Sequence, residues 1–167
     1  MKTLKRIGLI VAAFLVLVSL ILMGLIYFDW LSVGFVVGPH RFHHWSGIIG
    51  AFYVAIITPF FAVLKRSKPD SLRTLFRVHV FGNLMAFLLV SVHFAGQLSR
   101  SLEFYPDLGS GVGLYSAMSV LVFTGFFLRY GLVAGGLRRS LRVIHVLVVV
   151  SFYLVIVFHA LHGFGII

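Results

Sequence analysis

The amino-acid sequence predicts an all-α integral membrane protein with five transmembrane helices. Hydrophobic residues make up 60% of its 167 residues and charged residues only 11%, a balance that is typical of membrane proteins rather than soluble domains. The apolar residues form five runs of about 20 residues or more, enough to cross a hydrocarbon core of about 30 Å. The predicted spans are residues 7–28, 45–64, 75–98, 112–132 and 141–164.

The first span follows Lys2, Lys5 and Arg6, and secretory signal peptides share such a basic start. Its apolar run is too long for a signal peptide, and no convincing small-residue cleavage site precedes Asp29. We therefore expect this helix to be retained. The loops between the five spans are too short to hold a nucleotide-binding domain. We expect residues 1–167 to form a single multi-pass domain in the cell (inner or plasma) membrane.

Positively charged residues are concentrated on one side of the predicted membrane. The net charge is +10, yet the side that carries the loops after spans one and three has only Arg41 and Arg100. By the positive-inside rule, the N-terminus is cytoplasmic and the C-terminus is external. The charge therefore indicates orientation and contact with a lipid bilayer, and we expect no nucleic-acid partner. The cytoplasmic basic residues are Lys2, Lys5, Arg6, Lys65, Arg66, Lys68, Arg73, Arg77, Arg129, Arg138, Arg139 and Arg142.

Cysteine is absent from the chain. This excludes disulfides, thiolate-bound zinc, iron–sulfur clusters and haem attached through thioether bonds. Any haem that the chain binds is therefore held non-covalently.

Four histidines lie at matched positions in two spans. His79 and His93 are 14 residues apart in span three, and His145 and His159 are 14 residues apart in span five. Fourteen helical steps fall about 40° short of four turns and rise about 21 Å, so each pair shares one helix face. Spans three and five run in the same direction because one span separates them. His79 and His145 are therefore expected near the cytoplasmic end, and His93 and His159 near the external end.

This arrangement predicts two haems of the b type, each held between two histidines. Imidazoles that face each other across a helix bundle bind a haem iron from both sides. His79 and His145 are the predicted ligands of the inner haem, and His93 and His159 of the outer haem. A single histidine in a span is also open to another role, such as a hydrogen bond to a neighbouring helix. Zinc is disfavoured because its ligands must converge in one coordination sphere.

The remaining histidines are secondary candidates. His162 follows His159 by three residues but lies on a neighbouring face, so we expect it near a propionate, a redox partner or water. A cluster of three at the external start of span two is open to two interpretations, a metal or acceptor site and an interfacial loop beside Trp45. These three are His40, His43 and His44.

Arginines near the predicted ligands are candidates for pairing with haem propionates, which are anionic and should project toward the membrane surfaces. Arg77 and Arg142 each lie within one turn of an inner ligand, and Arg41 and Arg100 are the outer candidates. Each of them is equally open to a simpler role as a charge that orients the protein.

Two glycines of span three, Gly82 and Gly96, each follow a predicted ligand by three residues. We expect them to leave space for the flat macrocycle, although glycine in membrane helices also serves helix packing.

The residues assembled so far resemble the ferric reductase-like transmembrane domain superfamily. It includes the membrane domains of NADPH oxidases and ferric reductases, and the haem-binding subunit of bacterial methionine sulfoxide reductase systems. That family carries its haem ligands on the third and fifth helices, which here implies His79 and His145, and His93 and His159. The resemblance runs roughly from Ser46 to Gly163. It includes Ser46-Gly47 and Thr58-Pro59 of span two and the Lys65-Arg66 that follows this span, which are similar to the methionine sulfoxide reductase subunit.

The 14-residue spacing also resembles the di-haem helices of respiratory cytochrome b. In that family the ligand helices are the second and fourth, so an extra leading span must be assumed. Unlike the NADPH oxidases and ferric reductases, this sequence has no flavin and nicotinamide domain after its last span. We therefore expect another chain to oxidise any soluble reductant.

The sequence thus predicts a di-haem cytochrome that carries electrons across the bilayer between a cytoplasmic or quinol donor and an external acceptor. We expect a subunit of a larger oxidoreductase, with a redox partner protein or subunit on at least one face and quinone as a further candidate cofactor. No catalytic residue is predicted, because histidine at both axial positions leaves iron no open site. One alternative is a stand-alone reductase of ferric complexes or oxygen. Another is a proton or metal transporter, against which the scarcity of intramembrane carboxylates argues.

Overall fold

The computed structural model describes residues 2–101, 103 and 108–163, and five long helices account for most of them. Each helix is long and apolar enough to cross a membrane. The prediction of a multi-pass protein with five spanning helices is therefore confirmed in helix number, length and composition, while the orientation of the termini stays a prediction. The helices are α1 (Lys2–Tyr27), α2 (Phe42–Ser67), α3 (Leu72–Leu98), α4 (Gly109–Tyr130) and α5 (Gly135–Gly163).

Each helix begins three to six residues before the apolar run that predicted it. Helix α5 begins at Gly135 instead of residue 141, so Arg138 and Arg139 are helical. Helix α2 continues through Pro59 to its end, where a short 3-10 turn leads into α3. Hydropathy detects only the apolar part of a helix, whereas backbone hydrogen bonding continues into polar residues. The predicted end of the fifth span, Phe164, lies outside the described residues.

Helix α4 ends two residues earlier than its apolar run. Gly131 follows its last residue with a φ of +69°, and its N–H donates to the carbonyl of Phe127. This left-handed conformation carries no steric penalty for glycine and commonly terminates helices. The stop signal is therefore a backbone conformation, which hydropathy does not register.

A short hairpin between α1 and α2 adds a strand pair that the sequence analysis missed. Strands β1 (Val36–Val37) and β2 (His40–Arg41) pair antiparallel around Gly38, whose φ of +60° suits a tight turn. The indole of Trp45 donates to the carbonyl of Val37 at 2.8 Å and ties the hairpin to α2. Two-residue strands are too short to show an alternating pattern.

The chain divides into two compact units, and the division falls inside α1. The α2–α3 unit comprises Val11–Ser99. The α4–α5 unit comprises Met1–Ile10 and Arg100–Ile167. Each unit is built around one pair of consecutive helices, and its packing is described separately.

Small residues bring the two helices of the α2–α3 unit close together. A Cβ atom at Gly50 of α2 would lie 3.0 Å from the carbonyl oxygen of Ala86 and 2.9 Å from a methyl group of Val90. Such close approach of backbones is typical of membrane helix pairs, which gain their stability from van der Waals packing. A buried cluster joins the end of α1 and the loop after it to α3, and consists of Ile26, Val33, Val92 and Ala95.

The α4–α5 unit buries few side chains, and α5 is largely exposed along its length. Tyr130 at the end of α4 donates to the carbonyl of Gly8 at 2.7 Å, which anchors the start of α1 within this unit. Between Val143 and Phe158, the exposed α5 side chains other than Ser151 are aliphatic or aromatic, as expected of a surface that contacts lipid. The buried residues of the two helices are Leu114, Met118, Thr124 and Phe152.

The expectation that Gly82 and Gly96 leave open space for a macrocycle is wrong. The ring of Tyr53 occupies the space beside Gly82, and its hydroxyl donates to the carbonyl of Val78 at 3.0 Å. The imidazole of His43 packs against Gly96. Both glycines therefore serve the alternative role of helix packing, with side chains of α2 filling the notches in α3.

Replacement of Gly50 by alanine should destabilise the α2–α3 unit, because the new methyl group would press on the backbone of α3. Overpacking of this kind costs about 1–3 kcal/mol. We expect a lower thermal unfolding temperature of the purified protein in detergent. Gly24→Ala is the matched control, because a Cβ at Gly24 meets no atom within 4 Å. Equal unfolding temperatures for the Gly50→Ala variant and the wild type would contradict the close approach of these helices.

Candidate functional site

All four histidines that the sequence analysis singled out are half-buried within α3 and α5. Each makes a polar contact through the same ring nitrogen, Nδ1. This common feature matters because the nitrogen that holds the proton decides which one keeps a lone pair. The contacts are Asn83 Nδ2 to His79 at 3.1 Å, the His43 carbonyl to His93 at 3.0 Å, Thr124 Oγ1 to His145 at 2.8 Å and Ser110 Oγ to His159 at 2.9 Å.

The contact of His145 joins Nδ1 to a hydroxyl that also has main-chain carbonyls within reach. The hydroxyl of Thr124 donates its single proton to main-chain carbonyls of α4, with the shorter contact, 2.7 Å, to Val120. With its proton on that carbonyl, the hydroxyl accepts from the imidazole, which places the proton of His145 on Nδ1 and its lone pair on Nε2. Gly125 lies beside the same ring, and a Cβ there would be 3.4 Å from Cε1.

His159 has the same kind of environment near the other end of α5. The hydroxyl of Ser110 contacts Nδ1, and a Cβ at Gly111 would be 3.5 Å from Cε1. Among the described residues, neither His159 nor His145 has a hydrogen-bond partner at Nε2.

The sequence analysis missed both hydroxyl partners, although α4 carries a signal. Ser110-Gly111 and Thr124-Gly125 are 14 residues apart, the same interval that separates the histidines of α5. Because α4 and α5 are antiparallel, the later pair of α4 meets the earlier histidine of α5. The sequence alone does not show what this repeat contacts, because the hydroxyls reach the histidines only when α4 packs on α5.

His93 donates from Nδ1 to the main-chain carbonyl of His43, at the start of α2. A carbonyl can only accept, so the lone pair of His93 is also on Nε2. Gly47 makes the contact possible, because a Cβ there would lie 2.6 Å from Cγ of the His93 ring. Because Gly47 has no side chain, the His93 ring of α3 can reach the carbonyl of His43. This carbonyl also accepts from the hydroxyl of Ser46 at 2.8 Å.

The histidines at the start of α2 pack around His93. The rings of His43 and His44 have centroids 6.0 and 5.8 Å from that of His93. Gln97 of α3 donates to Nε2 of His44 at 2.9 Å. No three His, Asp or Glu side chains in the described part of the chain form a group that could hold a metal ion. The structure therefore does not support a metal site formed by His40, His43 and His44. The indole of Trp45 packs on His40, with ring centroids 5.6 Å apart.

His79 differs from the other three in the group that contacts it. Its ring stacks on Phe61 of α2, with centroids 4.3 Å apart and planes at 16°. Asn83, one turn further along α3, points Nδ2 at Nδ1, while its Oδ1 is buried with no hydrogen-bond partner among the described atoms. The two ends of an amide have the same shape. Rotation of the amide by 180° would therefore let Oδ1 accept from Nδ1–H and give His79 the same tautomer as His93 and His145.

The candidate arginines are exposed at helix ends. Arg77 lies near the start of α3, Arg142 in the first part of α5 and Arg41 immediately before α2, while Arg100 follows α3. These positions suit the two roles that the sequence left open, propionate pairing and orientation of the protein. His162, in the last turn of α5, is also exposed.

The donor set fits axial ligation of haem iron and does not fit a structural zinc site. Haem iron takes one nitrogen from each side, and the remaining ligands come from the porphyrin. Tetrahedral zinc needs three or four protein ligands at one point. The imidazoles of His145 and His159 meet the first requirement, because a neighbouring hydroxyl contacts Nδ1 and, among the described residues, Nε2 has no hydrogen-bond partner. His93 has the tautomer that this ligation needs, with Nδ1 held by the His43 carbonyl. His79 reaches the same tautomer after rotation of the Asn83 amide. The predicted pairings, which join α3 to α5, stay predictions.

No protein-family model, curated protein or solved structure matches this chain. The resemblance to the ferric reductase-like superfamily therefore rests on the sequence motifs alone. The function has to be argued from the chemistry of the histidines and their partners.

The hydrogen bonds predict that His93 and His145 are protonated on Nδ1 when neutral. Solid-state ¹⁵N NMR of histidine-labelled protein in lipid at alkaline pH should show Nδ1–H for both rings, because the carbonyl at His93 can only accept and the Thr124 hydroxyl at His145 has a main-chain carbonyl to which it donates. Assignment follows from the His93→Gln and His145→Gln variants, each of which should remove one signal set. A proton on Nε2 of His93 would contradict its contact with the carbonyl, and a proton on Nε2 of His145 would mean that Thr124 donates to the ring instead of accepting from it.

Proposed function

We propose that this chain is a di-haem b-type membrane cytochrome. It carries electrons across the bilayer between a cytoplasmic or quinol donor and an external acceptor, as a subunit of a larger oxidoreductase. His79 and His145 hold the inner haem, and His93 and His159 hold the outer haem. The resemblance to the ferric reductase-like superfamily points to the same ligands.

One observation carries this proposal: the spanning histidines are held through Nδ1. Histidines that ligate metals almost always donate their other ring N–H to a protein acceptor, which sets the tautomer and the orientation of the ring. A histidine that served helix packing alone would be free to use either nitrogen. In α5, two histidines 14 residues apart have the same arrangement, with a hydroxyl at Nδ1 and a glycine beside Cε1.

The pairing of α3 with α5 ligands comes from the sequence. The two helices carry equal intervals of 14 residues between their histidines. The single span between them makes the helices parallel, and the charge pattern orients both from the cytoplasm outward. Histidines at equal depth are then the natural partners.

Bound haem would supply reversible one-electron transfer at iron, and two axial histidines suit transfer rather than activation of oxygen or substrate. The chain itself supplies four oriented imidazoles in an apolar surrounding. No acidic residue lies within the five helices as described. A proton pathway usually includes intramembrane carboxylates, so this composition favours electron transfer over proton transport.

The proposed partners follow from this role. Lipid covers the apolar helices, and a redox protein or a second subunit meets at least one face of the membrane. Quinone is the candidate small-molecule donor. Arg77 and Arg142 are proposed to pair with propionates of the inner haem, and Arg41 with those of the outer haem, because guanidinium groups form strong bidentate contacts with carboxylates.

Purified wild-type protein should contain two low-spin b haems per chain, measured by pyridine haemochrome assay and reduced-minus-oxidised spectra. The variants His79→Ala and His145→Ala should each lose the same haem, because removal of one axial ligand abolishes bis-histidine binding. His93→Ala and His159→Ala should each lose the other haem. His162→Ala is the matched control in α5 and should keep both haems.

Absence of haem from the wild-type protein would refute the proposed function. Loss of different haems from His93→Ala and His159→Ala would refute the pairing but leave a haem protein. Loss of both haems from every variant would be resolved by His→Met replacements, which retain an axial ligand and should preserve binding with an altered spectrum.

The proposed orientation is testable because the chain contains no cysteine. A cysteine introduced at Ser32, after α1, should react with a membrane-impermeant maleimide added to intact cells. A cysteine at Ser67, at the end of α2, should react only after the membrane is permeabilised. The positive-inside rule places these loops on opposite sides. A cysteine at Ser151, within α5, is the unlabelled control, and the reverse pattern would refute the orientation.

A further inference from the structure

Helix α4 contacts both histidines of α5 through the same arrangement, a hydroxyl at Nδ1 followed by a glycine. Thr124 contacts Nδ1 of His145 at 2.8 Å, and Ser110 contacts Nδ1 of His159 at 2.9 Å. In each case the next residue of α4 is a glycine near Cε1 of the same ring. This arrangement of hydroxyl and glycine occurs twice in α4, 14 residues apart, so it is not a single chance contact.

We propose that Thr124 and Ser110 are positioning residues for haem ligation. Each accepts the Nδ1–H of its histidine, turns Nε2 toward iron and increases the electron donation of the ring to iron. The proposal rests on the proposed function and extends it from the four ligands to the helix that orients two of them.

The chemistry of Thr124 supports this role directly. A main-chain carbonyl of α4 lies 2.7 Å from its hydroxyl, and when the proton is donated there the lone pairs of the hydroxyl face the imidazole. The side chain is buried, which strengthens the hydrogen bond because little water competes for it. A ring held in this way does not need to exchange its proton between nitrogens before it binds metal.

Ser110 meets the same requirement at the other end of α5. A ring that gives the Nε2 lone pair to iron must carry its proton on Nδ1, and the serine hydroxyl then accepts it. Gly111 leaves the edge of the ring clear, since a Cβ at this position would be 3.5 Å from Cε1. A longer side chain at Gly111 would push on the imidazole and tilt it.

The direction of the effect on reduction potential follows from the hydrogen bond. An acceptor at Nδ1 makes the imidazole a stronger donor, and a stronger donor stabilises oxidised iron more than reduced iron. Removal of the acceptor should therefore raise the midpoint potential of the haem concerned. It should also weaken haem binding, because loss of a partner that orients a ligand costs about 10–100-fold in metal affinity.

The test uses the purified full-length protein with its bound haems, and the readouts are the redox titration and the haem affinity. Thr124→Val keeps the shape of the side chain but removes the acceptor. We expect the midpoint potential of one haem to rise and its affinity to fall about 10–100-fold, with the second haem unchanged. The affected haem should be the one that His145→Ala lacks. Thr124→Ser, which keeps the hydroxyl, should restore both values.

Ser110→Ala provides an independent arm with a matched control on the same helix. It should shift the haem that His159→Ala lacks. Ser119→Ala also removes a serine hydroxyl of α4, but one that donates only to the carbonyl of Tyr115, at 2.8 Å. It should leave both potentials unchanged.

These outcomes separate the inference from the proposed function. Two haems with unchanged potentials and affinities in both Thr124→Val and Ser110→Ala would overturn the inference while the cytochrome assignment stands. A wild-type protein without haem would overturn both. If Thr124→Val fails to fold, the comparison of Ser110→Ala with Ser119→Ala decides, and equal effects of these two would overturn the proposal.

Discussion

A polar nitrogen inside a membrane span needs a hydrogen-bond partner from the protein, and this constraint governs how the helices of this chain pair. Water does not satisfy such groups in the hydrocarbon core, where an unpaired polar group costs several kcal/mol. The histidines of α5 therefore require acceptors on α4 at matching depths. Thr124 and Ser110 supply them. A slip of α4 against α5 by one turn, about 5.4 Å, would separate both contacts at once, so together they define the register of the two helices.

The α2–α3 unit meets the same requirement with main-chain and aromatic groups. The carbonyl of His43 accepts from His93, and it is open to the neighbouring helix because Gly47 has no side chain to cover it. His79, nearer the start of α3, stacks on Phe61 and contacts the amide of Asn83. The two units thus hold their histidines by different chemistry. Hydroxyl, carbonyl and amide acceptors differ in strength, so the proposed ligands are not equivalent as electron donors.

The same contacts connect stability with function. A hydrogen bond between membrane helices contributes about 0.6–2 kcal/mol, which helps to hold the helices together. When the protein group accepts, the bond also places the proton of the ring on Nδ1, which leaves the Nε2 lone pair for the proposed iron. A residue that lowers the cost of burying an imidazole therefore prepares that imidazole as a ligand. This explains why positions as ordinary as a threonine and a serine in an apolar helix matter to the proposed electron transfer.

The sequence by itself determined the five spans and the doubled interval of His79, His93, His145 and His159, because hydropathy and helical periodicity are local properties of the chain. It did not identify Thr124, Ser110 or the His43 carbonyl, and it misjudged Gly82 and Gly96. Those features depend on how each helix is rotated about its axis and on the register of its neighbour, which side chains distant in sequence decide together. The repeat in α4 was visible in the sequence, but only the packing of α4 on α5 showed that its hydroxyls meet the histidines.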